Sequence, residues 1–106
     1  MKKLIAGLLF VPLTATAGFE TGNTLLSKIK ADNFIEKSVA LGYIIGSFDA
    51  MSGAVHCAPD GITAGQLNDL IKMVLEASPA SRNMDATLLL AYTFKSAWPC
   101  KNRPGT

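Results

Sequence analysis

Two cysteines, Cys57 and Cys100, constrain this chain more than any other feature. Whether they close a ring decides how freely the residues between them can arrange themselves. Their redox state follows from the compartment, and the compartment is read from the N-terminus. Lys2 and Lys3 form a short positive region. Residues 4–13 (LIAGLLFVPL) are an uncharged apolar run, and Ala15-Thr16-Ala17 has the small-x-small pattern of a cleavage site. These are the three parts of a secretory signal in order, so residues 1–17 read as a cleaved export signal. A bilayer-spanning helix needs about 20 apolar residues, and this run is too short. Export places both cysteines in an oxidising compartment, where two cysteines in a small domain pair. Chain-entropy reasoning gives a ring of this size about 4 kcal/mol. That is a large part of the roughly 5–15 kcal/mol that holds a small domain folded.

Composition then removes several functions. The chain has ten Lys+Arg against eight Asp+Glu, and the excess is Lys2 and Lys3. Residues 18–106 are therefore neutral overall. Nucleic-acid binding needs a surplus of cations on one face, and so does a polybasic membrane patch. Neither surplus exists. The residues also offer no enzyme chemistry. His56 adjoins Cys57, but neighbours in sequence rarely present their side chains to each other as a nucleophile and its base do. One His and two Cys do not make a metal site, which needs three or four spaced ligands. No cofactor-binding motif is present. The residues do not read as those of an enzyme.

The exported part is helical throughout. Leu25, Leu26 and Ile29 give a short first helix over 23–30 one apolar stripe. Asn33, with Glu36 three later, resembles a capping box and starts a second helix that runs to about Gly53. That helix is apolar nearly all round, which predicts burial on several sides. Ile35, Val39, Gly42, Gly46 and Asp49 share one of its faces. Each glycine costs roughly 1 kcal/mol against Ala in a helix interior, so something should offset it. Packing within the chain is the first reading of Gly42 and Gly46, with Asp49 as a structural acceptor beside them. A symmetric helix–helix seam between two copies is the second. Thr63 and Gln66 form a second capping box, and Ile62 can staple onto Leu67. Leu67, Leu70, Ile71, Val74 and Leu75 then face inward until Pro79 stops the third helix. Residues 80–83 read as a polar connection. The fourth helix spans 84–98 and is stopped by Pro99. Residues 101–106 read as a disordered tail. The expected fold is a small all-α bundle of about four helices, residues 18–100, with the cysteines closing helices three and four as a hairpin.

Several runs now read together. Gly18-Phe19-Glu20-Thr21-Gly22-Asn23-Thr24-Leu25-Leu26 opens the exported part. Leu41-Gly42-Tyr43-Ile44, Gly46 and Asp49-Ala50 fill the second helix. Cys57-x-Pro59-x-Gly61-Ile62-Thr63-x-Gly65-Gln66-Leu67 spans the next loop and cap. Ser78-Pro79 and Ala97-Trp98-Pro99-Cys100 close the last two helices. In this order and spacing they resemble the Rap/Tai family of immunity proteins, over essentially all of 18–100. The resemblance implies a periplasmic protein that neutralises a peptidoglycan amidase injected by a type VI secretion system. It also implies a homodimer that inserts a loop into the cleft of a Cys–His hydrolase. Many similar proteins carry a second cysteine pair, at positions that hold Ile29 and Ala40 here.

Two loops are candidates for that insertion. Residues 55–61 are pinned by Cys57 and Pro59, and offer His56 and Asp60. Residues 78–83 (SPASRN) offer Ser78, Ser81, Arg82 and Asn83. The second is favoured, because a polar loop with no packing role is free to bind. Arg82 could pair there with a carboxylate. The competing reading is a small periplasmic acid-stress holdase chaperone. It fits the size and the cysteine pair, with eight acidic groups to titrate.

Overall fold

The computed structural model describes residues 19–101. The signal read at 1–17, and all of the tail beyond Lys101, lie outside them. Four α-helices make the fold: α1 (Gly22–Ile29), α2 (Phe34–Met51), α3 (Ala64–Ala77) and α4 (Ala86–Ala97). A one-turn 3-10 helix, Pro79–Ser81, joins α3 to α4. No strand occurs among the described residues; two isolated bridges, Thr21 with Asp85 and Ser52 with His56, are the extended pairings found there.

Side-chain caps fix three of the four helix starts. The Thr21 hydroxyl accepts the Thr24 N–H at 3.2 Å, and the Thr24 hydroxyl accepts the Thr21 N–H at 2.9 Å. This box satisfies two otherwise orphaned donors and starts α1 at Gly22, one residue before the expectation. The Asn33 carboxamide oxygen takes the N–H groups of both Ile35 and Glu36, at 2.8 and 3.1 Å. Asn33 caps α2 alone, without the Glu36 side chain. Thr63 and Gln66 form the full reciprocal box at 3.1 and 2.8 Å, as read. Asp85 precedes α4 without a side-chain cap bond.

Each helix contributes one stripe to the core. Leu25, Leu26 and Ile29 come from α1, and Ala40 and Ile44 from α2. Leu67, Ile71 and Leu75 come from α3, and Ala86, Leu90 and Phe94 from α4. Burying a Leu, Ile or Phe side chain fully is worth about 1.5–3 kcal/mol, so this cluster is the main source of stability. Ile29 and Ala40 are both within it. Leu70 and Val74, expected inside with the rest of α3, instead line an open groove against Tyr92, Thr93, Ser96 and Ala97 of α4. Cys57 and Cys100 are bonded, and the Cys57 N–H donates to the Trp98 carbonyl at 2.8 Å.

The second helix departs from its reading. It buries only Ala40 and Ile44, along one narrow line. Phe34, Ile35 and Val39 are exposed, and a side chain added at Gly42 or Gly46 would meet nothing within 4 Å. Asp49 is exposed as well. At about 100° per residue, the stripe of Ile35, Val39, Gly42, Gly46 and Asp49 points away from Ile44, whereas Phe34 lies to one side. The glycines therefore admit no other helix of the same chain, which corrects the first reading of Gly42, Gly46 and Asp49. The apolar pattern was there, but four short helices cannot surround one of their own number.

Candidate functional site

The 78–85 turn is built by two neighbours, and neither was visible in its own sequence. Behind it, the last turn of α3 ends on Ser78, whose N–H donates to the Leu75 carbonyl at 3.2 Å. The Arg82 guanidinium also reaches back, and its Nη1 donates to the same carbonyl at 3.2 Å. An arginine on the last carbonyls of a helix satisfies acceptors that have no partner in the helix itself. Ser81 N–H to Ser78 carbonyl and Met84 N–H to Ser81 carbonyl, at 3.2 and 3.0 Å, close two successive turns.

The second support is the segment just before α1. Asn23 N–H donates to the Arg82 carbonyl at 2.7 Å, and Gly22 N–H to the Met84 carbonyl at 3.0 Å. Ala86 N–H donates in return to the Glu20 carbonyl at 2.8 Å. Residues 20–23 thus run along 82–86 as a short antiparallel clamp. This pairing takes up the backbone of Met84 and delays α4 until Ala86, two residues after its expected start. Glu20 is itself held by Lys28 at 2.9 Å. The connection is therefore not a polar linker without packing, and the reason given for favouring it is corrected: its backbone is stitched on both sides.

That stitching sorts the candidate residues. Arg82 is half-buried with its guanidinium turned onto α3. Its role in the chain is to hold the turn, and it does not stand free as an anchor for a carboxylate. Ser78 and Ser81 are half-buried too. Pro79, Ala80 and Asn83 are exposed, and they form the crest.

The 52–63 connection is equally rigid and differently made. Gly53 and Gly61 have φ of 84° and 97°, which a residue with a Cβ rarely adopts. The Met51 carbonyl lies within reach of the N–H groups of Ala54, Val55 and His56. His56 is 1% exposed, so it belongs to the core and not to the loop surface. Its ring stacks on Phe48 with centroids 4.3 Å apart, and the edges of Phe94 and the tilted ring of Trp98 complete the box. His56 Nε2 lies 2.8 Å from the Phe48 carbonyl, and the Ala58 N–H donates to Nδ1 at 3.2 Å. A carbonyl can only accept and an N–H can only donate, so the ring carries its proton on Nε2. Cys57, Pro59 and Asp60 are exposed along the outer edge.

The two sets of candidates thus stand on different connections, α2–α3 and α3–α4, and each is held by its own bonds. Among the described residues, no group of three or more His, Cys, Asp or Glu could hold a metal ion. No helix there is long and apolar enough to cross a membrane. What both connections offer is a fixed backbone contour with small side chains on its crest.

A family model described as Rap1a immunity proteins matches residues 21–100. The chain belongs to that family. The matched span starts on Thr21, the cap of α1, and ends on Cys100, the second half of the disulfide, so it covers all four helices. No curated protein matches the chain. A Rap1a immunity protein acts by binding a secreted effector.

Proposed function

We propose that this Rap1a immunity protein works in the periplasm, where its 78–85 turn enters and blocks the cleft of a peptidoglycan amidase delivered by a type VI secretion system. The family match over 21–100 is the observation that carries the reading. The export signal read at 1–17 supports the location, because peptidoglycan lies outside the inner membrane. The bonds that tie the turn to Leu75, Gly22 and Asn23 fit it for that role, and the 52–63 connection, held as firmly, is the alternative loop. A segment that is already ordered loses little conformational entropy on entering a cleft, so more of its contact energy appears as affinity. On this reading Pro79, Ala80 and Asn83 touch the amidase, and Arg82 holds the turn from behind. The inhibitor needs no chemistry of its own, since occupying the site of a Cys–His hydrolase is enough to stop it.

The test is inhibition. The purified amidase is titrated with the disulfide-bonded protein while release of peptidoglycan fragments is followed. Stoichiometric loss of activity, with the amidase cysteine shielded from alkylation, is the expected result. Tight binding with full residual activity would sink the blocking mechanism, and no binding would sink the amidase as target.

A further inference from the structure

Glu20 joins the entrances of two helices. Its carbonyl accepts the Ala86 N–H of α4 at 2.8 Å, and its Oε1 accepts the Lys28 ammonium group of α1 at 2.9 Å. Its second carboxylate oxygen, Oε2, is shut off from solvent and has no hydrogen-bond partner among the described residues. An ionised carboxylate offers about four acceptor sites on its two oxygens. A buried acceptor left without a donor costs free energy, more so on a charged group. Solvent does not reach Oε2, so its donor must come from the chain.

The chain continues past the described residues at both ends. Residues 102–106 follow α4, whose twelve residues are about 18 Å long. Arg103 would have to run straight back along that helix to reach Glu20 at its start. Gly18 is far nearer, since two residues of chain span at most about 7 Å. The ring of Phe19, between them in sequence, is 84% exposed and does not fill the space. While the signal read at 1–17 is attached, the Gly18 nitrogen is an amide with one N–H. Hydrolysis of the Ala17–Gly18 bond adds one water: Ala17 leaves with the new carboxylate, and Gly18 keeps the nitrogen as an α-amino group. Such groups titrate near 8, so at neutral pH it is largely an ammonium ion with three donors.

We propose that removal of the export signal completes the 20–23 clamp, because the new ammonium group of Gly18 donates to Glu20 Oε2. Glu20 then holds Lys28 with one oxygen and the chain end with the other. Through Gly22 N–H to Met84 and Asn23 N–H to Arg82, the same clamp carries the 78–85 turn. The turn is thus held more firmly in the processed chain than in the precursor. The bearing on inhibition rests on the role proposed above for that turn; the ion pair does not.

The test compares the exported, processed protein with its Nα-acetylated form, which has the same length and no terminal charge. Intact mass should show that the processed chain begins at Gly18. The free form should melt at least about 4 °C higher. Its Gly22 and Ala86 N–H groups should exchange several-fold more slowly. The sign decides, since an unpaired ammonium group beside the N-terminus of α1 would oppose the helix dipole and make the acetylated form the more stable. Both differences should vanish in Glu20→Gln. They should persist in Lys28→Met, which keeps the carboxylate, and this second variant serves if Glu20→Gln does not fold. Cleavage at another bond, equal behaviour of the two forms, the opposite sign, or a difference that survives Glu20→Gln would overturn the proposal. No amidase enters these measurements, so their failure is distinct from failure of the inhibition test.

Discussion

The backbone of Gly22 lies so close to that of Arg82 that no side chain fits between them. A Cβ at Gly22 would stand 2.8 Å from the Arg82 carbonyl oxygen and 3.1 Å from its Cα, with the Leu89 side chain at 2.7 Å. This contact seats the entrance of α1 against the candidate binding turn, and the bonds from Gly22 and Asn23 lock it there. Gly22→Ala should therefore cost about 1–3 kcal/mol, because the Arg82 carbonyl oxygen and Cα are backbone atoms that cannot rotate away. Chemical denaturation should show a lower midpoint with an unchanged slope. The same variant should weaken inhibition of the amidase by loosening the turn. An unchanged midpoint would mean that the 20–23 segment does not hold the turn in place.

The crest of the turn can be probed without touching its supports. Ala80→Arg adds bulk at an exposed position, and changes at such sites usually stay within about 0.5 kcal/mol of wild-type stability. Inhibition should nevertheless fall at least tenfold, with Asn83→Ala falling in the same direction. Asp60→Ala, on the other connection, should leave inhibition unchanged. The opposite pattern, with Asp60 sensitive and Ala80 silent, would move the site to the 57–61 edge.

His56 is expected to be a structural residue in every assay. His56→Ala removes a ring from between Phe48, Phe94 and Trp98 and strips the Ala58 N–H and the Phe48 carbonyl of a partner. A loss of about 3 kcal/mol follows from the cavity and the two orphaned groups together. Long-range nitrogen–proton NMR correlations on the wild type should show Nε2 protonated and Nδ1 as the acceptor. The reverse tautomer would contradict the bonding described for this ring.

Reduction of the Cys57–Cys100 disulfide should lower stability by about 4 kcal/mol on the chain-entropy estimate. The paired Cys57→Ser, Cys100→Ser variant should match it within about 1 kcal/mol. Calorimetry with and without reductant measures both. A small shift would show that the Phe48, His56, Phe94 and Trp98 box already holds the end of α4 without the covalent link.

Much of the fold was legible locally. The Thr63–Gln66 cap, the proline stops at Pro79 and Pro99 and the stripe of Leu67, Ile71 and Leu75 each depend on residues a few positions apart. What escaped depended on distance. The clamp of 20–23 on 82–86 joins segments about sixty residues apart through backbone atoms, which leave no trace in side-chain patterns. Its one signal was Gly22, a glycine in the first turn of a capped helix, where nothing local calls for it. Arg82 read as a free cation because sequence shows a charge but not the carbonyl it serves. His56 read as a loop residue for the same reason, although the aromatic residues that enclose it were all in view. The outer face of α2 was misread in the other direction. Its apolar pattern was real, but periodicity cannot tell a core from a face that has no partner in its own chain.

Affinity capture tests the central claim most directly. The tagged protein would be expressed in the periplasm of its own host and its retained partners identified. The expected result is a secreted peptidoglycan amidase with a Cys–His site, held at near-stoichiometric amount and inactive until released. Recovery of the protein with no amidase, or with a broad set of unrelated clients only at acid pH, would contradict the account.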